Sequence, residues 1–138
     1  MEYTTQMDAA RKGIQTKELL RVAEKEHMDP AKLMELVAKG QAIIPANKLH
    51  TCIDPSGIGK DLSTKINVNL GTSRDWTDLD MEMEKVKSAV DMGAEAIMDL
   101  SSFGDTQKFR KKLTSECPAI IGTVPICLLY TSPSPRDL

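Results

Sequence analysis

Lys65-Ile66-Asn67-Val68-Asn69-Leu70-Gly71 and Ala96-Ile97-Met98-Asp99-Leu100-Ser101-Ser102 are the two stretches whose reading decides the fold. Each is a short apolar run that closes on polar or turn-forming residues, the pattern of a buried strand ending at a loop. Between them, Asp78 to Met92 reads as a helix: Asp78 supplies a capping carboxylate and Gly93 a stop. Met81, Val86, Ala89 and Val90 are expected to form its buried face, leaving Glu82, Glu84, Lys85 and Lys87 in solvent. Asn69 and Met98 lie 29 positions apart, and an equal step along a third strand-like run, Ile120-Ile121-Gly122-Thr123-Val124-Pro125-Ile126, arrives at Cys127. A second helix from Asp105 to Glu116, with Phe109 and Leu113 inward, stops before Pro118. The result is a β/α/β/α/β beat. Its strands run parallel, so their C-termini share one face, where α/β folds bind ligands.

Toward the N-terminus the punctuation is helical. Thr5 can cap a short helix ending at Gly13, and Thr16 a second one through about His27. Asp29-Pro30 then restarts the chain, because the Asp side chain accepts from free amides and Pro at the first helical position has no N–H to leave unpaired; Gly40 stops it. Leu19, Leu20 and Ala23, then Leu33, Met34, Leu36 and Val37, give the two longer helices apolar stripes that should pack as a hairpin. From Thr16 to Lys39 five basic residues meet five acidic ones. Phosphate attraction largely cancels over that span, which argues against a DNA-reading helix pair and for a packing or subunit-contact element. Residues 41 to 64 combine a possible strand at Ala42 to Ile44 with turn formers at Pro45, Asn47, Pro55 and Gly57, either a functional loop or an ordinary crossover.

Composition bounds the rest. The chain has 138 residues, 41% hydrophobic and 28% charged, which fits one globular domain. A net charge of -2 gives no pull toward nucleic acid or an anionic membrane. The sequence has no apolar run of about 18 residues and its first residues lack a signal peptide's regions, so no membrane partner is expected and the expected location is cytoplasmic. Cys52, Cys117 and Cys127 show no C-x-x-C spacing and are expected to be reduced thiols.

Several residues invite a chemical role. Asn69 at the mouth of its strand offers an amide donor and acceptor, suited to a heterocycle or ribose as well as to a simple turn, and Gly71 lets backbone approach a ligand. Met98 is either core filler or an apolar contact. Asp99, its strand neighbour, points to the opposite side and needs hydrogen-bond partners if buried. Gly57-Ile58-Gly59-Lys60 fails as a P-loop, because Asp61 follows the Lys and Asp54 stands where the first Gly belongs; Leu62 breaks the dinucleotide fingerprint. His27 and His50 have no local cluster of metal ligands and read as surface or structural residues.

Taken in order, Ile44-Pro45-Ala46-Asn47-Lys48, Gly57-Ile58-Gly59, Lys65 to Gly71, Met98-Asp99-Leu100-Ser101 and Ile121-Gly122-Thr123-Val124-Pro125-Ile126 resemble the phosphomethylpyrimidine synthase family of thiamine biosynthesis, over residues 1–126. The resemblance implies a radical S-adenosylmethionine enzyme on a (β/α)8 barrel, usually a homodimer, that rearranges aminoimidazole ribotide into hydroxymethylpyrimidine phosphate. It implies substrate contacts at Asn69 and Met98. It also implies a 4Fe-4S cluster on a three-cysteine motif near the family's C-terminus, S-adenosylmethionine, and a zinc-type metal held by downstream histidines, none of whose ligands occurs in this stretch. A third contact, a tyrosine after Val-Pro-Ile in the family, is Cys127 here and receives no role.

The expected fold is therefore α/β: an N-terminal helical hairpin over residues 1–40, then about three strands of a TIM-type barrel, incomplete, over 41–126. From Cys127 to Leu138 the chain departs from the family and looks like one translated frame of a sequencing adapter, so it reads as a non-native tail, although its Ser and Pro content alone would equally suit a native disordered end. Such a fragment, with sheet edges uncovered, is expected to be inactive and marginally folded by itself. The competing reading is a small non-catalytic interaction module in which the helical hairpin binds a partner.

Overall fold

The computed structural model describes residues 2–124. Pro125 and Ile126 of the third strand-like run, Cys127 and the tail through Leu138 lie outside the described residues. The chain divides into two units: one gathers the residues through Lys48 together with Asp54–Lys65, the other Leu49–Ile53 and the chain from Ile66 onward.

The first unit is built by its caps. Thr5 accepts from the Asp8 amide at 3.0 Å to open α1, Gln6–Arg11. Thr16 accepts from the Leu19 amide at 3.1 Å to open α2, Lys17–Lys25. Asp29 accepts from the Ala31 amide, with Pro30 beginning α3, Pro30–Ala38. These side chains satisfy amides that have no partner within the helix. The end of α2 departs from the glycine rule: His27 takes the left-handed conformation, φ +50°, and the Met28 amide reaches back to the Ala23 carbonyl. All three helices feed one apolar cluster, with Leu19, Val22, Leu33 and Val37 at its centre. Leu20, expected inside, is exposed, and Val22 occupies the buried position. α3 packs against both α1 and α2.

The long connection is not structureless. β1, Ala42–Ile43, pairs antiparallel with β2, Ile58–Gly59, a strand the sequence did not announce. Gly59 is obligatory there, since a Cβ would fall 2.4 Å from the Gln41 carbonyl oxygen at φ +144°. Lys25 Nζ ties down the loop by donating to Asp54 (3.2 Å), the Pro55 carbonyl (3.2 Å) and Ser56 Oγ (2.8 Å). Glu26 accepts from the Ser63 amide at 2.8 Å and pairs with Lys65 at 2.6 Å, both side chains buried.

The second unit carries a three-stranded parallel sheet in the order β3 (Asn67–Leu70), β4 (Ala96–Asp99), β5 (Ile120–Thr123). α4, Leu79–Asp91, joins the first two and α5, Thr106–Glu116, the second two. Asp78 caps α4 through the Asp80 and Met81 amides, and Asp105 caps α5 through the Lys108 amide. Leu70, Met83, Val86, Ile97, Phe109 and Leu113 form its core. The α/β class and the strand–helix alternation thus stand as read.

Two particulars differ. The inward face of α4 is Glu82, Met83, Val86 and Ala89; Met81 is exposed, and Glu82, expected in solvent, is wholly buried. The sheet register runs Asn69, Met98, Gly122, so the third equivalent position is Gly122 and not residue 127. The second crossover is shorter than the first, and the equal step does not hold. Of the two readings of His50 the structural one holds: it is buried, with Nε2 2.6 Å from the Cys117 carbonyl oxygen. Among the described residues no helix is long and apolar enough to cross a membrane.

Candidate functional site

Side chains alternate across a strand, and the burial pattern shows which way each points. Leu70, Ile97 and Asp99 are buried on the helix side, whereas Asn67 and Asn69 are exposed and Met98 is half-buried on the other. In a parallel sheet, register partners face the same way. Asn69, Met98 and Gly122 consequently form one row across the three strands, one position before their C-terminal ends.

That row has a definite shape. Asn67 Nδ2 donates to Asn69 Oδ1 at 3.0 Å, which fixes the amide of Asn69 and leaves its Nδ2 directed elsewhere as a donor. Met98 lies over Gly122: a Cβ on that glycine would fall 2.9 Å from Met98 Cε and 3.0 Å from Sδ. The absent side chain at 122 therefore makes the groove in which the thioether rests. A polar amide and a polarizable apolar group stand side by side on one open surface, the pairing that holds a flat heterocycle by edge and by face.

Beyond the row the strands end in two turns that are tied to each other. The Leu100 amide donates to the Leu70 carbonyl at 2.7 Å and the Ser102 amide to the Thr72 carbonyl at 3.0 Å, continuing the ladder past the strands. The Thr72 amide donates to Ser101 Oγ at 3.1 Å, and Thr72 Oγ1 to the Phe103 carbonyl at 2.6 Å. Gly71, at φ +146°, makes this approach possible, because a Cβ there would sit 2.4 Å from the Ser101 amide nitrogen.

From beneath, on the helix side, two buried carboxylates hold these turns. Glu82 Oε2 accepts from the Gly71 amide at 2.9 Å while Oε1 pairs with Lys85 at 2.6 Å. Asp99 Oδ1 accepts from the Ser101 amide at 2.9 Å while Oδ2 takes Arg110 Nε at 2.8 Å. The need of a buried Asp99 for partners is thereby met. Glu82, Thr72 and Arg110 were not singled out from the sequence. The available signal was spacing: Glu82 lies three residues after Leu79 and four before Val86, on the apolar stripe of α4.

The described residues do not fit a metal cofactor. No three of their His, Cys, Asp and Glu side chains gather where they could hold an ion. Cys52 and Cys117 are free thiols, with Cys52 Sγ 3.3 Å from the Cys117 carbonyl and burial pushing the Cys117 thiol up from its ordinary value.

The profile of the Radical SAM ThiC family matches residues 5–134. The chain belongs to that family. Among the curated proteins, the phosphomethylpyrimidine synthase of Clostridium botulinum (strain 657 / Type Ba4) is 65% identical over 126 residues, 91% of this chain and 29% of that protein. The phosphomethylpyrimidine synthase of the Hall strain gives the same identity and coverage. That of Alkaliphilus oremlandii (strain OhILAs) is likewise 65% identical over 126 residues, again 29% of its length. This ThiC-family chain therefore spans less than a third of the proteins it resembles.

Proposed function

We propose that this chain is a section of a phosphomethylpyrimidine synthase, cytoplasmic and homodimeric when whole, which converts aminoimidazole ribotide to hydroxymethylpyrimidine phosphate by radical S-adenosylmethionine chemistry. Its part in that enzyme is to grip the ribotide. Asn69 meets the polar edge of the imidazole or ribose and Met98 packs on an apolar face. The supporting observation is the register pairing of these two residues on the exposed side of a parallel sheet, near the strand C-termini. The three strands are the beginning of a (β/α)8 barrel, and the face carrying Asn69 would then line its interior. The 4Fe-4S cluster, S-adenosylmethionine and zinc-type metal that the family uses would draw their ligands from the remainder of the enzyme. By itself the section is inactive.

The test uses residues 1–126 of this chain joined to the remainder of the Clostridium botulinum relative. Ribotide affinity is measured calorimetrically, and turnover separately. Asn69→Ala is expected to weaken binding about tenfold, the loss of one hydrogen bond in a shielded site, and Met98→Ala several-fold. Wild-type affinity and turnover in both variants would remove the assignment.

A further inference from the structure

We infer that Glu82 and Asp99 are positioning residues for the ribotide, setting Asn69 and Met98 from the far side of the sheet; this rests on the substrate-gripping role proposed above. Neither carboxylate stands on the open face, because Glu82 comes from α4 and Asp99 lies on the helix side of β4, both wholly buried. Their effect must pass through the backbone.

Glu82 occupies a position where an apolar residue would cost less to bury. A wholly buried carboxylate on the core face of a helix loses its hydration, and well-packed hydrophobic replacements of such charges are commonly neutral or stabilising. What the carboxylate does there is specific. It accepts the amide of Gly71, two residues beyond Asn69. Gly71 cannot carry a side chain, so no packing of its own restrains it, and its φ of +146° belongs to a region that only glycine enters easily. The Glu82 bond supplies the missing restraint.

Asp99 repeats the device one strand over. It accepts the Ser101 amide, three residues beyond Met98, and is itself held by Arg110 from the second turn of α5. Ser101 Oγ then accepts the Thr72 amide, so the two turns are locked into one rim. In each β/α unit the helix that follows the strand thus sends a charged side chain back to that strand's end: Glu82 from α4 directly, Arg110 from α5 through Asp99. Binding pairs held on neighbouring strands lose affinity when either slides, and displacements near 1 Å are enough to matter.

The experiment is made in the full-length chimera, with aminoimidazole ribotide as the probe. Glu82→Asp keeps the charge and the Lys85 partner but is one methylene too short to reach Gly71; Glu82→Gln keeps the reach and the acceptor oxygen. Hydrogen exchange at the Gly71 and Ser101 amides reports the rim, and calorimetry reports affinity. The expected result is faster Gly71 exchange and about tenfold weaker binding in Glu82→Asp, with Glu82→Gln restoring most of both. Asp99→Asn still accepts from Ser101 but turns an amide NH2 donor toward Arg110 Nε, so its affinity should fall between wild type and Asp99→Ala. If Glu82→Asp frees the Gly71 amide while affinity stays unchanged, or if thermal stability falls without any loss of affinity, the positioning role is overturned. Should Asn69→Ala itself leave affinity intact, the substrate-gripping reading falls and takes this one with it. If Asn69→Ala weakens binding but Glu82→Asp does not, only the positioning role is lost.

Discussion

The two units of this chain use buried charge to different ends. In the first, Glu26 and Lys65 pair inside the fold, and Lys25 gathers Asp54, Pro55 and Ser56; both clusters fasten a long connection whose backbone has few regular partners. In the second, Glu82 and Asp99 fasten only two residues each, at the ends of strands that already have ladder partners. Holding a loop against a core is a stability task. Holding a strand end to a fixed conformation adds little to stability and much to the geometry of whatever stands beside it. The first unit also closes its apolar core among three helices, whereas the second covers one face of its sheet with α4 and α5 and leaves Asn67 and Asn69 in solvent on the other.

The comparison breaks most readily at Lys65. Lys65→Met leaves Glu26 buried without its cation, at a cost of about 3–5 kcal/mol, and should unfold the first unit at lower denaturant while the second is less affected. Trp76, the sole tryptophan, lies in the second unit, so its fluorescence follows that unit while amide hydrogen exchange in α2 and α3 follows the first. Coincident loss of both signals in Lys65→Met would mean that the units do not differ in this way.

Gly71→Ala should act in the opposite direction. The new Cβ would meet the Ser101 amide nitrogen at 2.4 Å and the Leu100 carbonyl carbon at 2.6 Å, both backbone atoms that cannot swing aside. Clash and a positive φ together should cost about 2–3 kcal/mol, read as an earlier Trp76 transition with amide protection in α2 and α3 little changed.

How far these contrasts were legible in the sequence depends on what each rests on. Caps were legible: Thr5, Thr16, Asp29 and Asp78 all accept the amides their positions imply, because a cap is a local contract between one side chain and the next turn. The Asn69–Met98 row was legible through the first crossover. Its continuation was not, since Gly122 follows Met98 by fewer residues than Met98 follows Asn69, and crossover length is set by packing that no periodicity encodes. Glu82 was assigned to solvent for its charge. The counter-argument was the Gly71 amide, a donor with no ladder partner, which becomes visible only when the strand end is placed. Which of its two readings, surface or structural, His50 takes was hidden for the same reason: its partner, the Cys117 carbonyl, is far away in sequence.

A smaller effect sharpens the row itself. Gly122→Ala would press on Met98 Cε and Sδ, the far end of a flexible side chain, and not on backbone. Met98 can turn away, so stability should fall by only about 1 kcal/mol. Ribotide affinity in the full-length chimera should nevertheless drop several-fold, because the thioether has left the row. Unchanged affinity alongside a shifted Met98 methyl resonance would show that Met98 serves as filling.

The smallest expected effect is of pH on the first unit. The Arg21 guanidinium, bonded to Asp54, holds its carboxyl below the ordinary value of 3.8 against the opposing effect of burial, and Lys25 adds to this. Burial pushes the Glu26 carboxyl up, but the Lys65 ammonium and the Ser63 amide and hydroxyl outweigh it and keep the carboxyl below 4.5. A carboxyl whose folded value lies below its unfolded one contributes stability that is complete above the unfolded value and disappears as pH falls through the folded value. The first unit should therefore hold its thermal midpoint from neutral pH down to about 5 and lose stability progressively below that. Asp54→Asn should flatten part of the acid limb, and because Asp54 is substantially exposed, salt should weaken its share while leaving most of that from the buried Glu26–Lys65 pair. An acid limb with the same slope in Asp54→Asn, at low and high salt alike, would place the sensitivity elsewhere and remove Asp54 from the acid-sensitive fastening of the first unit.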